Sequence, residues 1–373
     1  MNILFTRFPL ESANGGAENQ TMWLASGLAK RGHSVSFLGS CPVLLSRFSA
    51  QNLSTHSLQI GSPPVTKTGA LSFFWRRFSM QKSLVHSIDA LPQKPDVVCM
   101  LSLSEKLLLT PLLANRGIKV VWIEHDRIGR WLTRNPWLPT LKACSTRALI
   151  VTVSKLSEEK YRALGFDAAK IAVIPNGIPA PQQPASSSAT KSGFHIGCVS
   201  RLSPEKGIDV LLSAVRHIPE ATVHVVGEGS EEGYLRSLIA EDEASIGLRR
   251  ITLRHRVDNL DTFYASLNAL VLPSTDHDPF GLVAAEAMAR GIPVIVTDAC
   301  GIASSLTHGR DALIVRAGSI ALLADAIRRL LDPSEAARIA GAGKDTASTI
   351  FALDRMVEAY ERVLAQNEEE ISR

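Results

Sequence analysis

Apolar segments alternate with amphipathic helical segments in two runs along this 373-residue chain, and a stretch with neither pattern separates them. In the first run the apolar segments fall at residues 3–8, 34–38, 96–101, 119–123, 150–153 and 171–174, with a helix reaching about Arg31 after the first of them. In the second they fall at 194–199, 222–226, 251–253, 269–272 and 294–296, with helices at 207–216, 231–238 and 260–266 and closing helices at 322–331, 336–339 and 352–364. Strands that alternate with helices require a parallel sheet, so the pattern predicts an α/β protein with two nucleotide-fold, Rossmann-like halves. Residues 179–190 are rich in Pro and Ser and lack apolar periodicity, which makes them the clearest boundary in the chain. Residues 40–95, with Pro42, Pro63 and Pro64 among Ser-rich segments, follow neither pattern clearly.

The candidate chemistry lies where strands end. After the apolar segment 269–272 a polar loop, Pro273-Ser274-Thr275-Asp276-His277-Asp278, leads into Pro279-Phe280-Gly281-Leu282, which opens a helix that stops at Gly291. A helix start carries unsatisfied N–H groups and favours anions. Gly281 lets a ligand approach the backbone, and Glu286, about one and a half turns further on, could accept hydrogen bonds from sugar hydroxyls. After the segment 194–199 comes Ser200-Arg201-Leu202-Ser203-Pro204-Glu205-Lys206-Gly207. Two cations five positions apart at the mouth of a parallel sheet can clamp a diphosphate from two directions. In the first run, Gly15-Gly16-Ala17-Glu18 opens a helix without the G-x-G-x-x-G fingerprint, which argues against a nicotinamide dehydrogenase, and the segment 119–123 delivers Glu124-His125-Asp126 at its C-terminal end.

The carboxylate at Asp278, Pro279-Phe280-Gly281-Leu282 and the second carboxylate at Glu286 resemble the donor-sugar signature of family 4 glycosyltransferases, which are nucleotide-sugar enzymes of the GT-B fold. The family usually has Glu where this chain has Asp278. The resemblance extends to Arg201 and Lys206, to the Gly15-Gly16-Glu18 loop, to Gly227-Glu228-Gly229, to Pro175-Asn176-Gly177 and, by position, to His125. His255 and Ser304-Ser305 depart from it, replacing a common Gly and a common acid. It implies an acceptor-binding domain over 1–178, a linker over 179–193, a nucleotide-sugar domain over 194–350, and a closing helix over 351–373 that crosses back to the first domain. It also implies a retaining hexosyl transfer in a cleft between the domains, with closure about the linker. Arg201 and Lys206 would hold the diphosphate with the Gly281 and Leu282 amides, beside Phe280. Glu286 would hold the ribose, and Asp278, Gly16 and His125 would lie near the sugar. With no assured nucleophile, front-face transfer assisted by the leaving phosphate is the expected route, and no cofactor is expected.

Composition and charge alter this picture in three ways. With 45% hydrophobic and 20% charged residues the chain is of the globular type. The net charge of +4 divides unevenly, because residues 1–190 carry 21 Lys/Arg against 10 Asp/Glu and residues 191–373 carry 19 against 26. A basic first half suggests an anionic partner. Within it, Phe73-Phe74-Trp75-Arg76-Arg77-Phe78 and the set Arg127, Arg130, Trp131, Arg134, Trp137, Lys142 and Arg147 combine cations with aromatics. That combination suits an anionic membrane interface, at about 1 kcal/mol per basic residue, and equally suits a solvated basic face with its aromatics turned inward. No nucleic-acid motif accompanies the charge. Five scattered cysteines imply reduced thiols and a cytoplasmic setting, and no segment has the length or apolarity to cross a bilayer, so any membrane contact would be peripheral. Asp276-His277-Asp278 is literally a D-x-D metal motif, but its place before Pro-Phe-Gly and the two nearby cations argue for a metal-free site. A glycan or lipid-linked saccharide is the natural acceptor. The competing readings are a nucleotide-sugar 2-epimerase or a phosphorylase on the same fold, and a non-catalytic sugar-nucleotide binder.

Overall fold

A computed structural model describes residues 1–11, 15–181, 193–247 and 250–366. The Ser12–Asn14 part of the glycine-rich turn, most of the linker expected at 179–193 and the tail of the closing helix lie outside the described residues. The chain forms two units, Met1–Gly177 together with the segment from Leu353, and Ile178–Ala352.

The first unit holds a seven-stranded parallel sheet. Its strands are β1 (Asn2–Arg7), β2 (Ser34–Gly39), β3 (Ser54–Ser57), β4 (Val97–Met100), β5 (Lys119–Glu124), β6 (Leu149–Thr152) and β7 (Ile171–Val173), in the order β3-β2-β1-β4-β5-β6-β7. Alternation along the strands feeds two cores. Ile3 and Phe5 pack with Met22, Leu24 and Leu28 of the helix Gly16–Lys30 and with Met356, Val357 and Tyr360 of the helix Leu353–Ala365. Leu4 and Phe8 pack on the other face with Phe73, Met80 and Leu84 of the helix Lys67–Asp89. The helix from Leu353 therefore completes the first unit's core. It lies so close to Gly16–Lys30 that a Cβ at Gly27 would stand 2.4 Å from Val357, and Lys119 Nζ donates to the Val363 carbonyl at 2.6 Å.

The second unit holds a six-stranded parallel sheet. Its strands are β8 (Phe194–Val199), β9 (Ala221–Val226), β10 (Ile251–Arg254), β11 (Ala269–Leu272), β12 (Val294–Thr297) and β13 (Leu313–Val315), in the order β10-β9-β8-β11-β12-β13. β11 and β12 are wholly buried, as their continuous apolar sequences require. Three helices run further than their sequence pattern implies. Glu232–Ile246 and Pro333–Ile350 continue through polar turns, the second past Gly341 and Gly343, and Lys67–Asp89 occupies the stretch that followed no pattern.

Candidate functional site

In each sheet the chain reverses its direction of travel between two central strands, and ligands bind at such a switch point beside the strands' C-terminal ends. In the second unit it falls between β8 and β11, so the loops carrying Arg201–Lys206 and Pro273–Asp278 are neighbours. Close backbone packing fixes both. Leu202 N donates to Glu228 O at 2.9 Å, and Glu231 N donates to Leu202 O at 3.0 Å. A Cβ at Gly227 would lie 1.8 Å from Ser200 O, and one at Gly229 would lie 2.2 Å from Leu202 O. The Gly-Glu-Gly turn is thus the floor on which the Arg201 loop rests. At the loop's other end Gly207 has φ +63, and a Cβ there would lie 2.2 Å from Pro273 O. Thr275 N donates to Glu205 O at 2.9 Å across the same seam.

This frame brings Lys206 and Asp278, 72 residues apart, into a 2.6 Å ion pair with side chains 18% and 11% exposed. Ser274 Oγ donates to the same Asp278 oxygen at 3.2 Å. The Asp278 backbone is tied on both sides, its N–H to Ala299 O and its carbonyl to Gly301 N. The Arg201 guanidinium is exposed and has no partner among the described residues. The loop therefore presents one fixed, compensated cation and one uncommitted cation.

The helix expected to open at Pro279-Phe280-Gly281 starts at Leu282, with Gly281 as its N-cap in the left-handed region (φ +98). A Cβ at Gly281 would also press on Leu272 at 3.0 Å. Ala284 N donates to Gly281 O at 3.0 Å, and the N–H groups ahead of it have no intrahelical carbonyl to bond. Phe280 is an anchor: its ring is buried edge-on against Phe351, centroids 5.6 Å apart, and its carbonyl accepts from Ile302 N at 2.6 Å. Glu286, partly buried, accepts from Tyr264 Oη at 2.8 Å. Burial pushes its carboxyl above the usual range, while the Tyr264 hydrogen bond and nearby Arg290 oppose that shift. Arg290 in turn lies 4.8 Å over the Tyr264 ring and pairs with Asp261.

In the first unit the switch point falls between β1 and β4. Arg7, the last residue of β1, pairs at 2.8 Å with Glu18 from the helix Gly16–Lys30, both side chains under 10% exposed. Gly15 precedes that helix as its N-cap, and a Cβ there would lie 3.2 Å from the Glu18 carboxylate. Next to them Lys106 pairs with Glu124 at 2.7 Å, also buried. Glu105 accepts from Ser102 N at 2.7 Å and from Thr6 Oγ1 at 3.4 Å, but its Oε2 is buried without a hydrogen bond. Burial pushes the Glu105 carboxyl up to about 7. His125, just past β5, is lowered to about 4 by burial and then by the charge of Arg7, so it is neutral near pH 7. Glu18 thus pairs with Arg7 and His125 feels its charge, and Arg7 is a residue that sequence reasoning missed although it ends a strand as Arg201 follows one.

Other expectations resolve individually. Asp276 accepts from the adjacent His277 N at 2.7 Å, and His277 is buried. Among the described residues no group of three or more His, Cys, Asp or Glu side chains could hold a metal ion. All five cysteines are buried and none forms a disulfide; burial pushes the Cys99 and Cys198 thiols up to about 12. His255 pairs with Glu232 at 2.9 Å, and Ser304 Oγ donates to Gly301 O at 2.7 Å. Trp137 is buried against Phe73 and donates to Ala70 O, so the second basic-aromatic stretch turns that ring inward. Among the described residues no helix is long and apolar enough to cross a membrane.

Comparison with known proteins places the two units in one context. Residues 14–180 match the family described as Glycosyltransferase Family 4, and residues 193–333 match Glycosyl transferases group 1. An exopolysaccharide phosphotransferase of Streptomyces coelicolor is 31% identical over 232 residues, 61% of this chain but only 24% of that protein. The lipopolysaccharide core biosynthesis glycosyltransferase LpsD of Rhizobium meliloti is 32% identical over 216 residues, 57% of this chain and 62% of its own length. In each case the match spans less than two thirds of the relative. Among solved structures, Anabaena HepE in complex with UDP and glucose superposes with a TM-score of 0.80 over 98% of this chain and 100% of that one, at 22% identity. That likeness shows the fold.

Proposed function

Because the chain belongs to the family 4 glycosyltransferases, enzymes of the GT-B fold, we propose that it is a retaining, metal-independent hexosyltransferase that uses a nucleotide-diphosphate sugar and a saccharide or lipid-linked acceptor. The observation that carries this reading is the switch point of the second unit, where an uncommitted Arg201 stands on the same rigid loop as Lys206. In the proposed mechanism Arg201 folds onto the donor diphosphate and Lys206 approaches it with its ammonium already aimed by Asp278. Both offset the charge that the diphosphate gains as the glycosidic bond breaks. A positioned cation suits this task because it needs little reorganisation when charge develops.

Glu286, oriented by Tyr264, accepts from the ribose hydroxyls, and the Gly281–Leu282 amides approach a phosphate oxygen. Asp278, anchored through its backbone and bonded to Lys206, lies at the sugar end. In the first unit, Gly15, Gly16 and Glu18 serve the acceptor side, and His125 hydrogen-bonds the transferred sugar as a neutral imidazole. The reaction takes the front-face route, with the leaving phosphate helping to accept the acceptor's proton. UDP is the first nucleotide to try, since the superposable Anabaena protein holds it. A lipopolysaccharide-type saccharide is the first acceptor, by analogy with LpsD. Five buried cysteines without a disulfide support a cytoplasmic setting, with contact to the membrane peripheral.

The test is product analysis with UDP-, GDP- and ADP-sugars, saccharide acceptors and EDTA. A product with the donor's anomeric configuration by proton NMR, formed in EDTA, is expected. An inverted anomer would contradict the mechanism. Release of nucleotide with an altered sugar and no acceptor would indicate an epimerase, and a requirement for inorganic phosphate would indicate a phosphorylase.

A further inference from the structure

The helix Lys67–Asp89 is apolar on two sides, and the fold uses only one. Its inward side is accounted for: Ala70, Phe73, Met80, Leu84 and Ile88 recur at helical spacing and are buried in the first unit's core. On the outward side, Leu71, Phe74, Trp75 and Phe78 recur at i, i+3, i+4 and i+7 and are 67, 52, 68 and 65% exposed. They are the four most exposed large hydrophobic side chains among the described residues, and they are contiguous on one helix face. Isolated exposed apolar residues need no explanation, but a contiguous stripe marks a binding surface.

Charge identifies what the stripe fits. Lys67 stands four residues before Leu71 and Lys82 four residues after Phe78, so the same face is bracketed by cations. Arg77 flanks it, Arg76 is turned to the Ser62 carbonyl at 3.0 Å, and no Asp or Glu occurs from residue 67 to residue 88. The Arg77 guanidinium lies 5.1 Å from the Phe74 ring and 4.7 Å from the Phe78 ring, holding the aromatics together as a platform. Phe74 and Trp75 meet edge to face at 5.6 Å. Amphipathic aromatics flanked by lysines and arginines are the groups that settle at the headgroup level of a bilayer with negative surface charge. A second copy of this chain would instead oppose like charges.

We propose that the outward face of Lys67–Asp89 docks the protein, parallel to the helix axis, on an anionic lipid surface. Leu71, Phe74, Trp75 and Phe78 would enter the interface, and Lys67 and Lys82 would face the lipid phosphates. The proposal uses no donor-site residue and stands whether or not the donor-site reading holds.

The experiment is co-sedimentation of the full chain with phosphatidylcholine vesicles and with vesicles containing phosphatidylglycerol, across a salt series. Trp75→Ser/Phe78→Ser and Lys67→Glu/Lys82→Glu are compared with wild type, and their melting temperatures report folding. The substituted side chains are exposed, so the melting temperatures should stay close to wild type. Binding to the anionic vesicles that weakens with salt, and that falls roughly tenfold or more in each double variant, is expected. Binding indifferent to lipid charge, no vesicle binding at all, or undiminished binding by both variants would overturn it. So would concentration-dependent dimerisation in sedimentation velocity that Trp75→Ser/Phe78→Ser abolishes, which would assign the face to a second copy.

Discussion

The two sheets place charged residues at equivalent switch points and treat them in opposite ways. In the first unit Arg7 and Lys106 are each closed off by a buried carboxylate, Glu18 and Glu124. In the second unit only Lys206 is paired, at the rim of its loop, and Arg201 has no partner among the described residues. A buried charge is retained only when it is compensated, so the first arrangement is an internal scaffold that holds strand ends together. An uncommitted cation on a rigid loop loses little by binding an anion, so the second is prepared for a ligand. The same sheet position thus carries closed ion pairs in one half and, in the other, an uncommitted cation that we propose receives the donor.

The sharpest break in that contrast is kinetic. Arg201→Ala should lower kcat/KM for transfer by roughly 10²–10³ without shifting the melting temperature, since the side chain supports nothing in the fold. Arg7→Ala should do the reverse in kind, because it strands Glu18 in the core, costing about 3–5 kcal/mol of stability in a denaturant titration. Gly227→Ala attacks the platform rather than the cation. A Cβ there would lie 1.8 Å from Ser200 O, so roughly 2–4 kcal/mol should be lost on unfolding, with nucleotide affinity falling as the Arg201 loop shifts.

The pH dependence should separate the scaffold further. Glu105, with its carboxyl raised from 4.5 to about 7, binds a proton more tightly folded than unfolded. Its contribution therefore favours folding below about 4.5 and is lost as pH rises through about 7. His125, lowered from 6.5 to about 4, does the opposite: its contribution is lost as pH falls from 6.5 through about 4. Between pH 4.5 and 6.5 the two slopes oppose each other. Glu105→Gln should unmask stability that rises with pH, and His125→Gln stability that falls with it, each by at most ~3 kcal/mol across the window. Parallel melting curves for wild type and both variants would show that the two groups do not titrate in this manner. The smallest effect belongs to Glu286, the carboxylate we propose holds the ribose. Tyr264→Phe removes the hydrogen bond that orients Glu286, and nucleotide affinity by isothermal calorimetry should weaken by about tenfold or less.

Much of this was legible in the sequence where local pattern and chemistry coincide. β8 and β11 have the predicted bounds, and Arg201, Lys206, Asp278, Gly281 and Glu286 all sit beside the C-terminal end of a strand, where chain order alone points to a site. What was not legible depends on strands meeting across the sheet. The Lys206–Asp278 pair exists because β8 and β11 are neighbours, and the Arg7–Glu18 pair needs a helix start folded back over β1. The helix Lys67–Asp89 escaped because residues on both of its faces are apolar, which removes the contrast that makes a 3.6-residue period visible. For the same reason the sequence could not separate outward Phe74, Trp75 and Phe78 from inward Phe73.

The contrast between compensated and uncommitted cations is tested most directly by thermal-shift titration of wild type, Arg201→Ala and Arg7→Lys with UDP, GDP and ADP and their sugars, with and without EDTA. A ligand that binds only the folded state raises the melting temperature by mass action, about 2.7 kcal/mol of stabilisation at a hundredfold excess over Kd. One nucleotide class should shift wild type and Arg7→Lys equally, in EDTA as in its absence, and should fail to shift Arg201→Ala. An undiminished shift in Arg201→Ala, a shift that EDTA abolishes, or no shift with any nucleotide would contradict the account.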